Sequence, residues 1–253
     1  MAIALVNTLR AGLQSGQTAV GTVGVLGVES IELSCAAGFD FVLVDWQHGN
    51  FNRDQVREAL RAADAAGGHA MVRPPSHDGY LIQWLADMGY LSLLVPMVNS
   101  ADQAAAIVDA SYYPPLGQRS QASCRASGRF TDYRMAINDQ LLLLMMVETV
   151  EAVEDIDAIA AVNGVGGCFL GGTDLASSMG LKPGEAKPAS FEHAIEKVRR
   201  TTKDAGKIAA IAAATPEEAT HRFEQGFDVV TLTTDLRMLS NSLKHARAAM
   251  ESR

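Results

Sequence analysis

Five ionisable side chains stand at or just past the ends of short apolar runs. Asp45 and His48 lie in Val44-Asp45-Trp46-Gln47-His48, Arg73 in Val72-Arg73-Pro74-Pro75, Glu148 in Val147-Glu148-Thr149, and Asp174 in Gly171-Gly172-Thr173-Asp174. If those runs are parallel strands of a barrel, their polar ends meet at one rim, where barrel chemistry gathers. Each residue also has an ordinary structural use: a strand-end Asp caps a helix, an Arg ties down a loop, a lone His packs. As a group they are a candidate site. Glu148 and Asp174, on adjacent strands, can offer oxygens to one octahedral Mg²⁺ or Mn²⁺, with water and substrate completing the shell. A pair of acid/base carboxylates of the glycosidase kind is the competing assignment, although the neighbouring His and Arg suit a small anionic substrate better than a sugar. Gly171-Gly172 permits close backbone approach, so the amides of Thr173 and Asp174 can receive a substrate carboxylate at a helix start. A plain turn is the simpler reading of the same pair.

The hydrophobic pattern supplies the elements that must carry these residues. Short apolar runs alternate with amphipathic or Ala-rich segments, as in βαβ units. Strands are predicted over Gly21–Val25, Phe39–Asp45, His69–Arg73, Leu91–Val98, Leu141–Glu148, Gly166–Leu170, Lys207–Ala212 and Phe227–Thr233. Helices are predicted over Ser30–Ala37, Arg53–Ala66, Asp78–Met88, Ala101–Ala110, Val153–Val162, Phe191–Ala205, Pro216–Gln225 and Met238–Glu251. Near-continuous apolar strands such as Phe41–Val44 fit a parallel sheet buried on both faces. Eight such units favour a closed (β/α)8 barrel over a doubly wound open sheet. No linker or composition shift divides residues 1–253, so one domain is expected. Ser111–Gln140 breaks the rhythm, and a stretch of that length suggests a functional or mobile loop.

Composition narrows the class. The 253 residues are 48% apolar and 20% charged, with a net charge of −8, which gives no electrostatic reason to expect nucleic acid. Leu141–Val147 is far short of the roughly 18 apolar residues a membrane span needs, and no basic-then-apolar leader is visible. Cys35, Cys124 and Cys168 are odd in number and scattered, which suits a reducing cytoplasm and neither a disulfide framework nor a zinc knuckle.

Six blocks in register resemble the HpcH/HpaI aldolase/citrate lyase family, the class II pyruvate aldolases that include 4-hydroxy-2-oxoheptanedioate and 2-dehydro-3-deoxyglucarate aldolases. They are GFDFVLVDWQHG, MVRPP, LLVPMV, YYPPLGQRS, VETVEAVEDIDAIAAVNGV and FLGGTDLASSMG, which run from residue 38 to residue 180, and the likeness covers nearly the whole chain. The resemblance implies a single TIM barrel of the phosphoenolpyruvate/pyruvate-domain type and reversible cleavage of a 4-hydroxy-2-oxo acid into pyruvate, or a related ketoacid, and an aldehyde. Glu148 and Asp174 match the family's ligands for a divalent metal (Mg²⁺, Mn²⁺ or Co²⁺). Arg73 matches the arginine on the ketoacid oxygen, His48 the acid/base histidine, Asp87 its carboxylate partner, and Asp45 a second carboxylate near the metal-bound water. Gly172, Thr173 and Asp174 fall where the ketoacid is bound. The resemblance further implies a homo-oligomer, commonly a hexamer built as a trimer of dimers.

Asp87 closes a helix that precedes a strand, so it belongs at the end of the barrel opposite the rim. The expectation is that it reaches His48 of a neighbouring copy; local pairing is the alternative. Four positions depart from the family pattern: Met146 replaces a Gln two residues before the metal Glu, Val23 a Trp, Ala212 a Leu and Gly172 a Pro. These changes bear on which aldehyde fits more than on the reaction. A Schiff-base route needs a lysine at a strand end, and none of Lys182, Lys187, Lys197, Lys203, Lys207 or Lys244 is expected there. No Gly-x-Ser-x-Gly elbow accompanies Asp45 and His48. A citrate-lyase-like acyl-CoA lyase, with Arg119, Arg125 and Arg129 receiving the CoA phosphates, and a non-catalytic ketoacid-binding homologue are the alternatives.

Overall fold

The computed structural model describes residues 3–251. All eight expected strands form: β1 (Ala19–Gly24), β2 (Phe41–Asp45), β3 (Ala70–Arg73), β4 (Ser92–Val95), β5 (Leu142–Val147), β6 (Gly167–Leu170), β7 (Ile208–Ala212) and β8 (Val229–Thr234). They pair in parallel and in chain order, and β8 joins both β7 and β1, which closes the barrel. An open doubly wound sheet is thereby excluded. Among the described residues, no helix is long and apolar enough to cross a membrane.

Strand parity decides what reaches the site. Successive side chains alternate between the barrel interior and the helical layer. Phe41, Leu43, Met71, Leu94, Leu142, Leu144, Met146, Phe169, Ala210 and Val229 fill the interior as one cluster. Val42, Val44, Val72, Leu93, Leu143 and Val147 pack outward against the helices. Counting upward by two from Leu43, Met71 and Met146 reaches Asp45, Arg73 and Glu148. The polar residues are therefore the top layer of the same interior column.

The helices are α1 (Thr8–Gln14), α2 (Val28–Ala36), α3 (Arg53–Ala65), α4 (Gly79–Met88), α5 (Ala101–Ser111), α6 (Arg125–Arg129), α7 (Tyr133–Gln140), α8 (Val150–Glu154), α9 (Ile156–Ala161), α10 (Gly172–Ser178), α11 (Ala189–Asp204), α12 (Pro216–Glu224) and α13 (Asp235–Glu251). Two expectations need correction. The helix expected over Val153–Val162 is two helices meeting at Asp155, whose carboxylate is taken by the Ala101 amide at 2.8 Å. The stretch Ser111–Gln140 is not one long loop: it folds into α6 and α7, and its Phe130–Thr131 pairs in parallel with Ile3–Ala4. Short polar helices of this kind lack the apolar periodicity by which longer ones are recognised.

α1 is N-capped by Asn7, whose side chain accepts from the Arg10 amide at 2.9 Å. The fully buried Asn7 amide donates to Leu91 and Gln140 carbonyls at 2.8 and 2.9 Å. These bonds fasten α1 at the N-terminal end of the strands, leaving the C-terminal end open.

Candidate active site

Asp45 ends β2, and its register partner on β3 is Arg73. Arg73 Nε and Nη2 donate to Asp45 Oδ1 and Oδ2 at 2.9 and 2.6 Å. With the two side chains 13% and 2% exposed, this is a desolvated, two-point ion pair of the strong kind. Asp45 Oδ1 also accepts the amides of Gln47 and His48, each at 3.2 Å. One carboxylate thus locks Arg73 and folds the turn that lifts His48 to the exposed rim. Arg73 Nη1, unused by Asp45, lies 3.7 Å from Met146 Sδ. Because a thioether is a weak acceptor, that donor remains usable by a substrate oxygen.

Glu148 is buried just beyond β5, and its Oε1 accepts the Met97 amide at 2.8 Å. Met97 presents this amide from the left-handed backbone region at φ 56. Burial pushes the Glu148 carboxyl well above the usual carboxylate range; the Met97 amide opposes this, Asp174 adds to it, and Arg73 opposes it. Asp174 stands in the first turn of α10. Among the described residues, no three His, Cys, Asp or Glu side chains gather as a ready metal cage. A buried carboxylate beside a second one, with no Lys or Arg ion pair to either among the described residues, is nevertheless the donor set a hard divalent ion takes when water and substrate complete its shell. The residues fit such an ion.

Asp45, His48, Arg73, Met146, Gly172, Thr173 and Asp174 line one cavity of about 790 Å³ at the barrel mouth. The same cavity is lined by Val23 and Ala212, so these departures from the family pattern sit in its wall. Asp87 is not brought to it. It lies at the opposite end of the barrel, where Arg119 Nη2 donates to it at 2.5 Å. Arg119 is fully buried there, packed on the Tyr113 ring at 4.6 Å, and Arg125 and Arg129 both pair with Asp64. The arginines weighed as a CoA-phosphate patch are thus engaged away from the mouth.

Several cavity residues lie outside the sequence reading. β8 carries a bulge: Thr231 pairs with Gly21, but Thr234 with Val23. The extra residue turns both Thr233 and Thr234 into the lining; bulges commonly re-aim side chains beside active sites. α13 begins at Asp235, three residues before the expected start, which brings Arg237 to the mouth. Lys187 is at no strand end, as expected, but from the loop before α11 it also lines the cavity. Its Nζ lies 4.4 Å from the centre of the Phe191 ring. Lys207 behaves as expected, at the far end of β7 with Nζ on the Val162 carbonyl at 2.6 Å.

Fold and site together define a barrel enzyme with a carboxylate pair, an arginine and a histidine at one mouth. The family model for HpcH/HpaI aldolase/citrate lyase matches residues 28–242, and the chain belongs to that family. Membership places it among the carbon–carbon lyases. It is 31% identical to the 2-keto-3-deoxy-L-rhamnonate aldolase of Escherichia coli O1:K1 / APEC, over 98% of this chain and 94% of the relative. It is 36% identical to the 4-hydroxy-2-oxo-heptane-1,7-dioate aldolase of Shigella sonnei (strain Ss046), over 93% and 92%. A solved HpcH/HpaI aldolase/citrate lyase family protein from Burkholderia cenocepacia J2315 superposes with a TM-score of 0.91 at 28% identity, covering 97% of this chain and 100% of that one.

Proposed function

We propose that this chain catalyses reversible, divalent-metal-dependent aldol cleavage of a 4-hydroxy-2-oxo acid, giving pyruvate or a related ketoacid and an aldehyde. The observation that carries the reading is that Asp174, Arg73 and His48 line one cavity, with the buried Glu148 carboxylate interacting with Asp174 and Arg73. Both aldolases above are named for 2-oxo acids, which agrees with it.

Glu148 and Asp174 would hold the ion, which when bound supplies Lewis-acid polarisation of the 2-oxo group. Arg73 Nη1 donates to the ketoacid oxygen and stabilises the negative charge that develops there as the C3–C4 bond breaks. His48 accepts the proton of the C4 hydroxyl, the C4–O bond becomes the aldehyde carbonyl, and the electron pair of the broken bond moves to the enolate. Protonation at C3 completes the ketoacid. The first-turn amides of Gly172, Thr173 and Asp174 receive its carboxylate. Asp45 acts through its neighbours, holding Arg73 and the His48 turn.

We also infer that the chain works in the cytoplasm as a homo-oligomer, a trimer of dimers. α13 supports a contact between copies: Leu236, Leu239, Leu243 and Met250 form an exposed stripe, and Asp235 alone is buried in that helix among the described residues. Asp87, held by Arg119 at the far end of its own barrel, would approach His48 only in a neighbouring copy.

The test follows pyruvate release from a racemic 4-hydroxy-2-oxo acid after EDTA treatment and after adding back Mg²⁺, Mn²⁺ or Co²⁺. The expected result is loss to chelator, recovery with metal and indifference to borohydride. Metal-independent release that borohydride traps would overturn the reading in favour of a lysine Schiff base, and Lys187 is the lysine to examine first.

A further inference from the structure

The cavity has a second half that the reaction above does not use. Around the rest of the mouth from the Asp45–Arg73 wall are Val23, the small residues Ala212, Ala213 and Ala214, the bulged Thr233 and Thr234, Arg237 and Lys187. Its cations are not equivalent. Arg73 is neutralised by Asp45, and Arg222 by Glu192 and Glu218 at 3.2 and 3.5 Å. Lys187 and Arg237 line the cavity with no carboxylate partner among the described residues.

Arg237 is placed by its own backbone, whose amide donates to Thr234 Oγ1 at 3.2 Å. The adjacent carboxylate of Asp235 is committed elsewhere, to the amides of Val25 and Leu26 and the hydroxyl of Ser30. Lys187 is steadied on the buried Phe191 ring. Two unneutralised cations with neighbouring hydroxyls, in a concave and partly enclosed wall, favour an anion over a neutral group. The small side chains at Val23 and Ala212 keep the passage open between this wall and the reacting centre.

Resting on the aldolase reading, we propose that this half of the mouth binds the far end of the aldehyde component, and that this end carries an anionic group, a carboxylate or a phosphate, held by Arg237 and Lys187. The aldehyde carbon then lies toward His48 and Arg73, and the tail extends past Val23 and Ala212.

The test compares three aldehydes of matched chain length, ending in a carboxylate, a phosphate ester or a methyl group, as partners for pyruvate in the aldol direction. Deuterium exchange into the pyruvate methyl, which needs no aldehyde, is measured alongside. Wild-type protein should show kcat/KM at least about tenfold higher for one of the anionic aldehydes than for the methyl one, the size of a charge-assisted hydrogen bond. Whichever anion is preferred identifies the group. The double variant Arg237→Ala, Lys187→Ala should bring the anionic-to-methyl ratio to about one, chiefly through KM, and Arg237→Lys should retain part of the preference. Equal rates with all three aldehydes, or a preference that survives in the double variant, would overturn the proposal. Absence of deuterium exchange with any added metal would instead overturn the aldolase reading, and this subsite with it.

Discussion

Gly171 sets the distance between the end of β6 and the Glu148 carboxylate, and Gly171→Ala tests whether that distance matters. The backbone there, φ −89 and ψ 84, imposes no left-handed strain on alanine, so the effect is steric alone. The added methyl would lie 2.6 Å from Glu148 Oε2, 2.7 Å from Glu148 Cβ and 3.1 Å from Met146 Cε. Carbon atoms at rest are about 3.5–4.0 Å apart, so the clash with Glu148 Cβ amounts to about 1 Å. Rotating the carboxylate cannot relieve it, because Cβ is the root of the side chain. Either β5 and β6 part or Glu148 abandons its bond to Met97. Overpacking of this kind costs about 1–3 kcal/mol, and at about 2–4 °C per kcal/mol for a chain of this size the melting temperature should fall by about 2–12 °C. A catalytic group misplaced by about 1 Å loses roughly 100-fold in rate. The assay is thermal unfolding plus pyruvate release at saturating Mn²⁺. Gly172→Ala is the stability control, since its methyl meets only Phe191 Cζ at 3.5 Å and Leu170 Cδ2 at 3.8 Å; it should melt at or above the wild-type temperature. A Gly171→Ala protein with wild-type melting and turnover would refute the reasoning.

Arg73→Met should cost about 3 kcal/mol in urea unfolding, because it leaves the Asp45 carboxylate buried without its partner; adding Asp45→Asn should recover part of the loss. His69 tests pH dependence. Burial lowers its pKa from an ordinary 6.5 to about 4, so the unfolded chain binds the extra proton and stability falls as pH drops from 6.5 toward 4, by about 3 kcal/mol in all. His69→Gln, which can still bond Ser92, should show a smaller fall in urea midpoint between pH 7 and pH 4.5; a slope identical to wild type would refute the assignment. Leu239→Glu with Leu243→Glu should reduce the mass measured by light scattering if α13 joins copies, and an unchanged mass would locate the contact elsewhere.

The strands and their polar ends were legible because one rule, alternation along a parallel strand, governs both. Phe41, Leu43 and Asp45 share a parity, as do Leu142, Leu144, Met146 and Glu148, so an apolar run that keeps its parity into a charged residue announces a mouth-facing group. The rule has nothing to say where the chain leaves the strand. Arg237 depends on the bulge after Thr231, and Lys187 on a loop whose course is set by the packing of Phe191. Arg119 meets Asp87 across a separation of 32 residues, and nothing local signals that pairing. The position of Asp87 at the far end was legible from its helix, while its partner was not.

Asp235 also has a bearing on how the protein is made. Its carboxylate clasps the amides that follow β1, and the strand just before it, β8, supplies the pairing that closes the sheet. Until β8 is in place, β1 and β7 are bare edges that any other strand could pair with. A truncation just short of residue 229 would therefore leave an open, sticky sheet instead of a smaller barrel.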